Sequence, residues 1–208
     1  MGEQNEPWKI DELIAEGYDF LEEQKITKAC FIWEKVWEEI KKVLTPEIRS
    51  VTELGYSLGD AGNVENWCQD YEMELENAGV EDLSFFKKRI TYCREFVKLL
   101  PESDPLIIEN MKRAEAESLF ALGKIDEGEK AFAVLIKEYP NSAFVYIGWA
   151  DLYWLFRIND KTPCDYEKAE KIYRKALESN VDYREEVIER LKELEKEKEK
   201  ASRCKSGN

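Results

Sequence analysis

The stretch that decides the fold runs from Glu109 to Ser142: ENMKRAEAESLFALGKIDEGEKAFAVLIKEYPNS. Asp104-Pro105 just before it is a cap-plus-proline helix start, and the helix it opens closes at Leu122-Gly123. Asp126 then reads as the cap of a second helix, which carries Gly128, Phe132, Leu135 and Ile136 and runs into Tyr139-Pro140. Two helices joined by so short a turn must fold back on one another, and the small and aromatic residues then set how closely they pack.

The helical period extends outward in both directions. Upstream, Leu13, Gly17 and Phe20 belong to one helix and Ala29, Trp33, Val36 and Ile40 to the next. Thr45-Pro46 reads as the start of a short helix through Leu58, broken at Gly59 to Gly62. Trp67, Tyr71 and Leu75 follow on a helix that Gly79 is expected to cap, and Phe86, Ile90, Cys93 and Val97 on one that Pro101 ends. Downstream, one helix holds Phe144 to Leu155, a polar loop spans Arg157 to Asp165, and Ala169, Tyr173 and Ala176 form the next. Asp182 and Glu185 have capping-box spacing before a last helix through Leu194. No segment alternates with period two. The predicted class is all-α, with about ten helices.

The spacing of Gly123, Gly128, Phe132, Leu135 and Pro140 resembles a tetratricopeptide (TPR) repeat. Matching positions recur as Leu13, Gly17, Phe20, Ala29, Trp33 and Val36, and again as Tyr146, Trp149, Ala150, Tyr153, Ala169, Tyr173 and Ala176. The loop inside this last set is about seven residues longer than the family pattern. The resemblance implies a right-handed α-α superhelix of antiparallel helix pairs in one domain, residues 8–195. Its units are about 10–43, 65–102, 109–142 and 143–182, with an extra helix at 46–58, a capping helix at 183–200 and a charged tail at 196–208. The strings Trp67 to Leu75 and Gly148 to Trp154 are also similar to the repeat bodies of bacterial TPR/SEC-C proteins. The tail holds one cysteine, Cys204, and no histidine, so the zinc motif of those proteins is lacking.

Composition narrows the chemistry. The 208 residues include 31 Lys and Arg against 45 Asp and Glu, a net charge of −14, which argues against a phosphate-backbone binder. There is no histidine, which removes Ser-His and Cys-His pairs and His-ligated metals. The five cysteines form no C-x-x-C pair; Cys30, Cys68 and Cys93 fall on apolar stripes and read as core. The N-terminal run shows no secretory or myristoylation pattern, and no apolar stretch is long enough to span a bilayer. The expectation is a cytoplasmic protein with no metal, no cofactor and no nucleic-acid or membrane partner.

In an array of helix pairs the first helix of each pair lines a concave face that holds peptides or partner helices. The groove positions implied are Ile14 and Tyr18, then Asn66, Gln69, Asp70, Met73 and Asn77, then Asn110, Arg113 and Glu117, then Asp151 and Trp154. Amides can bond a peptide backbone whatever its sequence, and Tyr18 and Trp154 offer contact area. The groove is acidic, so the expected partner is a neutral or basic protein or peptide. Ile14 and Tyr18 stand where carboxylate-clamping TPR domains carry Lys and Asn, which excludes that mode. Two other readings stay open: a homodimerising structural adaptor, and a carboxylate-based metal-dependent hydrolase using Asp70 with Glu74 or Glu72 with Glu76.

Overall fold

The computed structural model describes residues 7–59, 61–156 and 164–206. Most of the expected loop from Arg157 lies outside the described residues, as do the N-terminal run 1–6 and the last two residues of the tail. The fold is all-α and TPR-like, with ten helices and no strand among the described residues. Its two compact units divide after Ala114.

The first unit opens with α1 (Pro7–Glu22) and α2 (Ile26–Val43), which pack on one another. Their turn is a Schellman closure: the Gln24 amide donates to the Leu21 carbonyl at 2.9 Å and the Lys25 amide to that of Phe20 at 2.8 Å, with Gln24 at φ 59°. Gly17 makes the approach possible, since a Cβ there would lie 1.9 Å from the Trp33 indole nitrogen. That nitrogen donates to the Ile14 carbonyl at 3.1 Å.

The short helix α3 (Val51–Leu58) begins five residues after Pro46, later than the Thr45-Pro46 start predicted. Ser50 and Glu53 form a reciprocal capping box, and the Val51 amide donates to Ser103 Oγ at 3.0 Å. These bonds fix the start, and Gly59 at φ 87° ends the helix as expected. Then come α4 (Ala61–Glu81) and α5 (Ser84–Leu99). Gly79 does not cap α4, which continues to Glu81. It is buried where a Cβ would meet the Phe86 ring at 2.7 Å, so its role is close approach of α5. Arg89 on α5, 2% exposed, bonds Glu72 and Glu76 of α4, each at 2.5 Å. The core of this unit includes Ile14, Trp33, Trp67, Leu75, Phe96 and Met111. Burial pushes the Cys30 thiol up to about 12 and that of Cys68 higher still, so both are inert packing residues.

The division between units falls within α6 (Pro105–Ala121), which Asp104 caps by accepting from the Leu106 amide at 2.8 Å. In the second unit, α7 (Ile125–Glu138) follows through a turn of the same design. The Gly123 amide donates to the Phe120 carbonyl at 2.8 Å and the Lys124 amide to that of Leu119 at 2.9 Å. Gly123 thus takes the place of Gln24, and Phe132 follows it at the same interval as Trp33 follows Gln24. The α7 N-cap is Lys124, with Asp126 in the first turn. That placement corrects the predicted Asp126 cap: the Schellman closure starts α7 one residue before Asp126.

The helix α8 (Ala143–Asp151) stops short of the expected Leu155, because the Asp151 carbonyl turns the chain by accepting from the amides of Leu155 and Phe156. After α9 (Tyr166–Glu178), capped by Asp165, the last helix α10 (Arg184–Ser206) starts beyond the predicted Asp182 cap. Tyr183 sits at φ 51°, which a first helical residue cannot adopt, and the Asp182 amide donates to the Asn141 carbonyl at 2.8 Å. The second core gathers Phe120, Phe132, Tyr146, Tyr173, Val187 and Leu194. Among the described residues no helix is long and apolar enough to cross a membrane.

Candidate functional site

In the first unit the close packing at Gly17 delivers the next residue to a defined place. Tyr18 meets the Trp33 ring edge-on at 5.0 Å, and its hydroxyl donates to Asp70 Oδ2 at 2.6 Å. This bond joins α1 to α4. Burial, reinforced by the Asp70 carboxylate, holds the Tyr18 hydroxyl well above the usual phenol range, so Tyr18 stays a neutral donor.

Asp70 belongs to a row along α4 at helical spacing: Asn66, Asp70, Met73 and Asn77, with Gln69 beside it. Asn66, Met73 and Asn77 are exposed; Gln69 and Asp70 are half-buried. Met73 leaves 49% of its surface in water, unusual for a thioether flanked by core residues. Gln69 bonds the Glu65 carbonyl at 3.2 Å and Asn77 bonds Glu74 at 3.1 Å, so both amides are oriented by their own helix. The arrangement combines an apolar contact point, amides and a carboxylate on one accessible face. Ile14, by contrast, is 1% exposed and belongs to the core. It lies on the α1 stripe that faces Trp33, which the spacing of apolar residues alone does not separate from a groove position.

The remaining predicted positions lie elsewhere. Arg113 donates to Asn110 Oδ1 at 3.2 Å, both half-buried on α6. Glu117 is half-buried on the same helix, within the second unit. Asp151 is 1% exposed and so supplies no accessible groove contact. Its carboxylate accepts from the Tyr173 hydroxyl and faces Arg190 at 3.4 Å. Trp154, half-buried, donates to the Tyr173 hydroxyl at 2.9 Å. These side chains form an internal network tying α8 and α9 to α10. Burial lifts Asp151 to about 6, although Tyr173 and Arg190 pull it the other way.

A second network in this unit was not foreseen from spacing. Glu129 on α7 accepts from Trp149 at 2.5 Å, from the Tyr153 hydroxyl and from Lys168 at 2.8 Å. Lys168 also lies 4.6 Å over the Tyr153 ring. Its members are far apart in sequence, and only the tyrosine and tryptophan signalled their importance. The carboxylate pairs considered for chemistry are similarly occupied: Arg89 takes Glu72 and Glu76, Tyr18 takes Asp70, and Glu74 is 9% exposed beside Asn77. No group of three metal-ligating side chains assembles among the described residues.

Short-turned antiparallel helix pairs, with a small residue at each close approach and an aromatic wedge opposite, define an α-helical repeat protein. Residues 115–142 match the family model of the tetratricopeptide repeat, and with its all-helical fold the chain is a TPR-like helical repeat protein. The matched segment holds Gly123, Gly128, Phe132 and Pro140, whose buried members are Gly128 and Phe132. No curated protein and no solved structure matches the chain. Tetratricopeptide repeats generally mediate protein–protein interaction and are usually non-catalytic.

Proposed function

We propose that this chain is a non-catalytic protein-interaction scaffold, and that the α1–α4 face of its first unit receives an extended peptide or a partner helix. The observation that carries the proposal is the Tyr18–Asp70 bond beside exposed Met73, which gives a polar and apolar surface held by two helices. Asn66, Gln69 and Asn77 supply backbone hydrogen bonding; Met73 supplies adaptable contact area. Asp70 and the net charge of −14 favour a neutral or basic ligand, mainly by speeding encounter.

The test is selection of displayed peptides on the intact chain, followed by Asp70→Lys and Met73→Glu. Loss of binding in both variants with unchanged helicity supports the face. Retention in both counts against it.

A second reading, self-association as a structural adaptor, draws on a different feature. Phe144 and Tyr183 of the second unit contact each other with ring centroids 5.2 Å apart, yet remain 39% and 66% exposed. Light scattering over a concentration series separates the two, since a strict monomer removes the adaptor reading.

A further inference from the structure

A cavity of about 230 Å³ opens elsewhere in the first unit, among α2, α4 and α5. Its deepest lining residues are Trp37, Tyr71 and Tyr92, 4%, 2% and 2% exposed. Tyr92 lies edge-on to Trp37 at 5.0 Å and against Tyr71 at 4.7 Å. Two of the three polar tips are engaged: Tyr92 donates to the Cys68 carbonyl at 2.8 Å and Trp37 to Glu95 at 2.7 Å. The Tyr71 hydroxyl makes no hydrogen bond among the described residues, although the side chain is almost wholly buried. The hydroxyl is not sealed from solvent, so its unengaged proton faces the cavity, where a ligand or an ordered water can take it.

The charges around the mouth decide what kind of ligand fits. Glu34 pairs with Lys88 at 2.5 Å, while Lys41 bridges Glu38 at 2.8 Å and Glu95 at 2.9 Å. Lys87 stands exposed at the rim, so three carboxylates face three ammonium groups and the lining is neutral in sum. A charged guest gains no net attraction from the lining, where every charge except that of the exposed rim residue Lys87 is already paired. Burial and the fields of Glu34 and Glu38 hold the Tyr71 proton in place, which makes that hydroxyl a donor. An apolar cavity of ~150 Å³ already accommodates benzene, so this volume suits one ring and a polar atom.

We propose that this cavity binds an uncharged, ring-sized group that brings one hydrogen-bond acceptor to Tyr71. The shared chemistry is a neutral aromatic with a carbonyl, supplied either by a free small molecule or by a residue of a capped peptide. The site is distinct from the α1–α4 face.

The experiment titrates the full chain with benzamide, benzoate and benzylammonium, followed by calorimetry and amide and indole NMR shifts. Saturable binding of benzamide is expected, with shifts at Trp37 and Thr91 and at least about fivefold weaker binding of both charged analogues. Tyr71→Phe should weaken benzamide about tenfold while leaving the thermal midpoint unchanged, because the hydroxyl has no protein partner to lose. An acetylated, amidated Gly-Phe-Gly peptide distinguishes the sources. Tighter binding than benzamide assigns the site to a peptide side chain, and weaker binding assigns it to a free molecule. No saturable shift from either neutral probe overturns the proposal. So does tighter binding of a charged probe, an unchanged affinity in Tyr71→Phe, or a Tyr71→Phe protein that melts lower.

Discussion

A Cβ added to Gly17 would sit 1.9 Å from the Trp33 indole nitrogen, inside the space the ring itself occupies. Trp33 is fully buried and donates to the Ile14 carbonyl, so it cannot swing aside without losing both packing and that bond. Gly17→Ala should therefore destabilise the first unit by about 2–3 kcal/mol, the range of core overpacking. Urea unfolding followed by tryptophan fluorescence measures it; a change under about 0.5 kcal/mol would show that α1 and α2 separate freely.

Gln24 and Gly123 occupy equivalent left-handed positions at φ 59° and 74°, yet only one is glycine. A side chain in that region costs roughly 1 kcal/mol. Gln24→Gly should stabilise the protein by up to about that amount, and Gly123→Ala should destabilise it similarly. Thermal melts of the two single variants check the opposite signs.

Arg89 is the buried cation of α5, held between Glu72 and Glu76. Replacing it with leucine removes the charge but leaves two carboxylates facing each other, and Glu72 is itself largely covered. Arg89→Leu should cost about 3 kcal/mol, within the range for breaking one partner of a buried pair. The triple change Arg89→Leu, Glu72→Gln, Glu76→Gln should recover most of that loss in the same unfolding experiment.

Asp151 gives the second unit a pH dependence. Its carboxyl is lifted from 3.8 to about 6 by burial, against Tyr173 and Arg190 and with Glu193 and Glu117 adding repulsion. A raised value means the folded chain binds this proton more readily than the unfolded chain. Its contribution to stability is therefore full below pH 3.8 and is lost as pH rises through 6. The swing is on the order of 2–3 kcal/mol. Asp151→Asn should remove it, so the wild-type minus variant difference in unfolding free energy should decline between pH 4 and 7. Parallel curves would place the titration elsewhere.

The turns and wedges were legible because each demands a particular residue: Gly59 and Gly123 need left-handed backbone, and Trp33 needs the small Gly17 opposite. The helix starts at Val51, Ile125 and Arg184 were less so. Thr45, Asp126 and Asp182 are good caps in isolation, but Ser50 with Ser103, the Schellman turn before Ile125 and the left-handed Tyr183 decide the actual registers. Ile14 and Asp151 show the same limit in the candidate site. Helical spacing tells which residues share a stripe, whereas burial depends on which neighbour covers it. The cavity beside Tyr71 had no local signal at all, since its walls come from three helices and its distinguishing feature is a missing bond.

The central claim is that ligands dock on the face made by α1 and α4. Hydrogen–deuterium exchange on the intact chain, with and without a peptide selected against it, tests this most directly. The account predicts slowed exchange confined to residues 10–22 and 63–78, and its loss in Asp70→Lys. Protection centred on α2 and α5, or on the second unit alone, would contradict it.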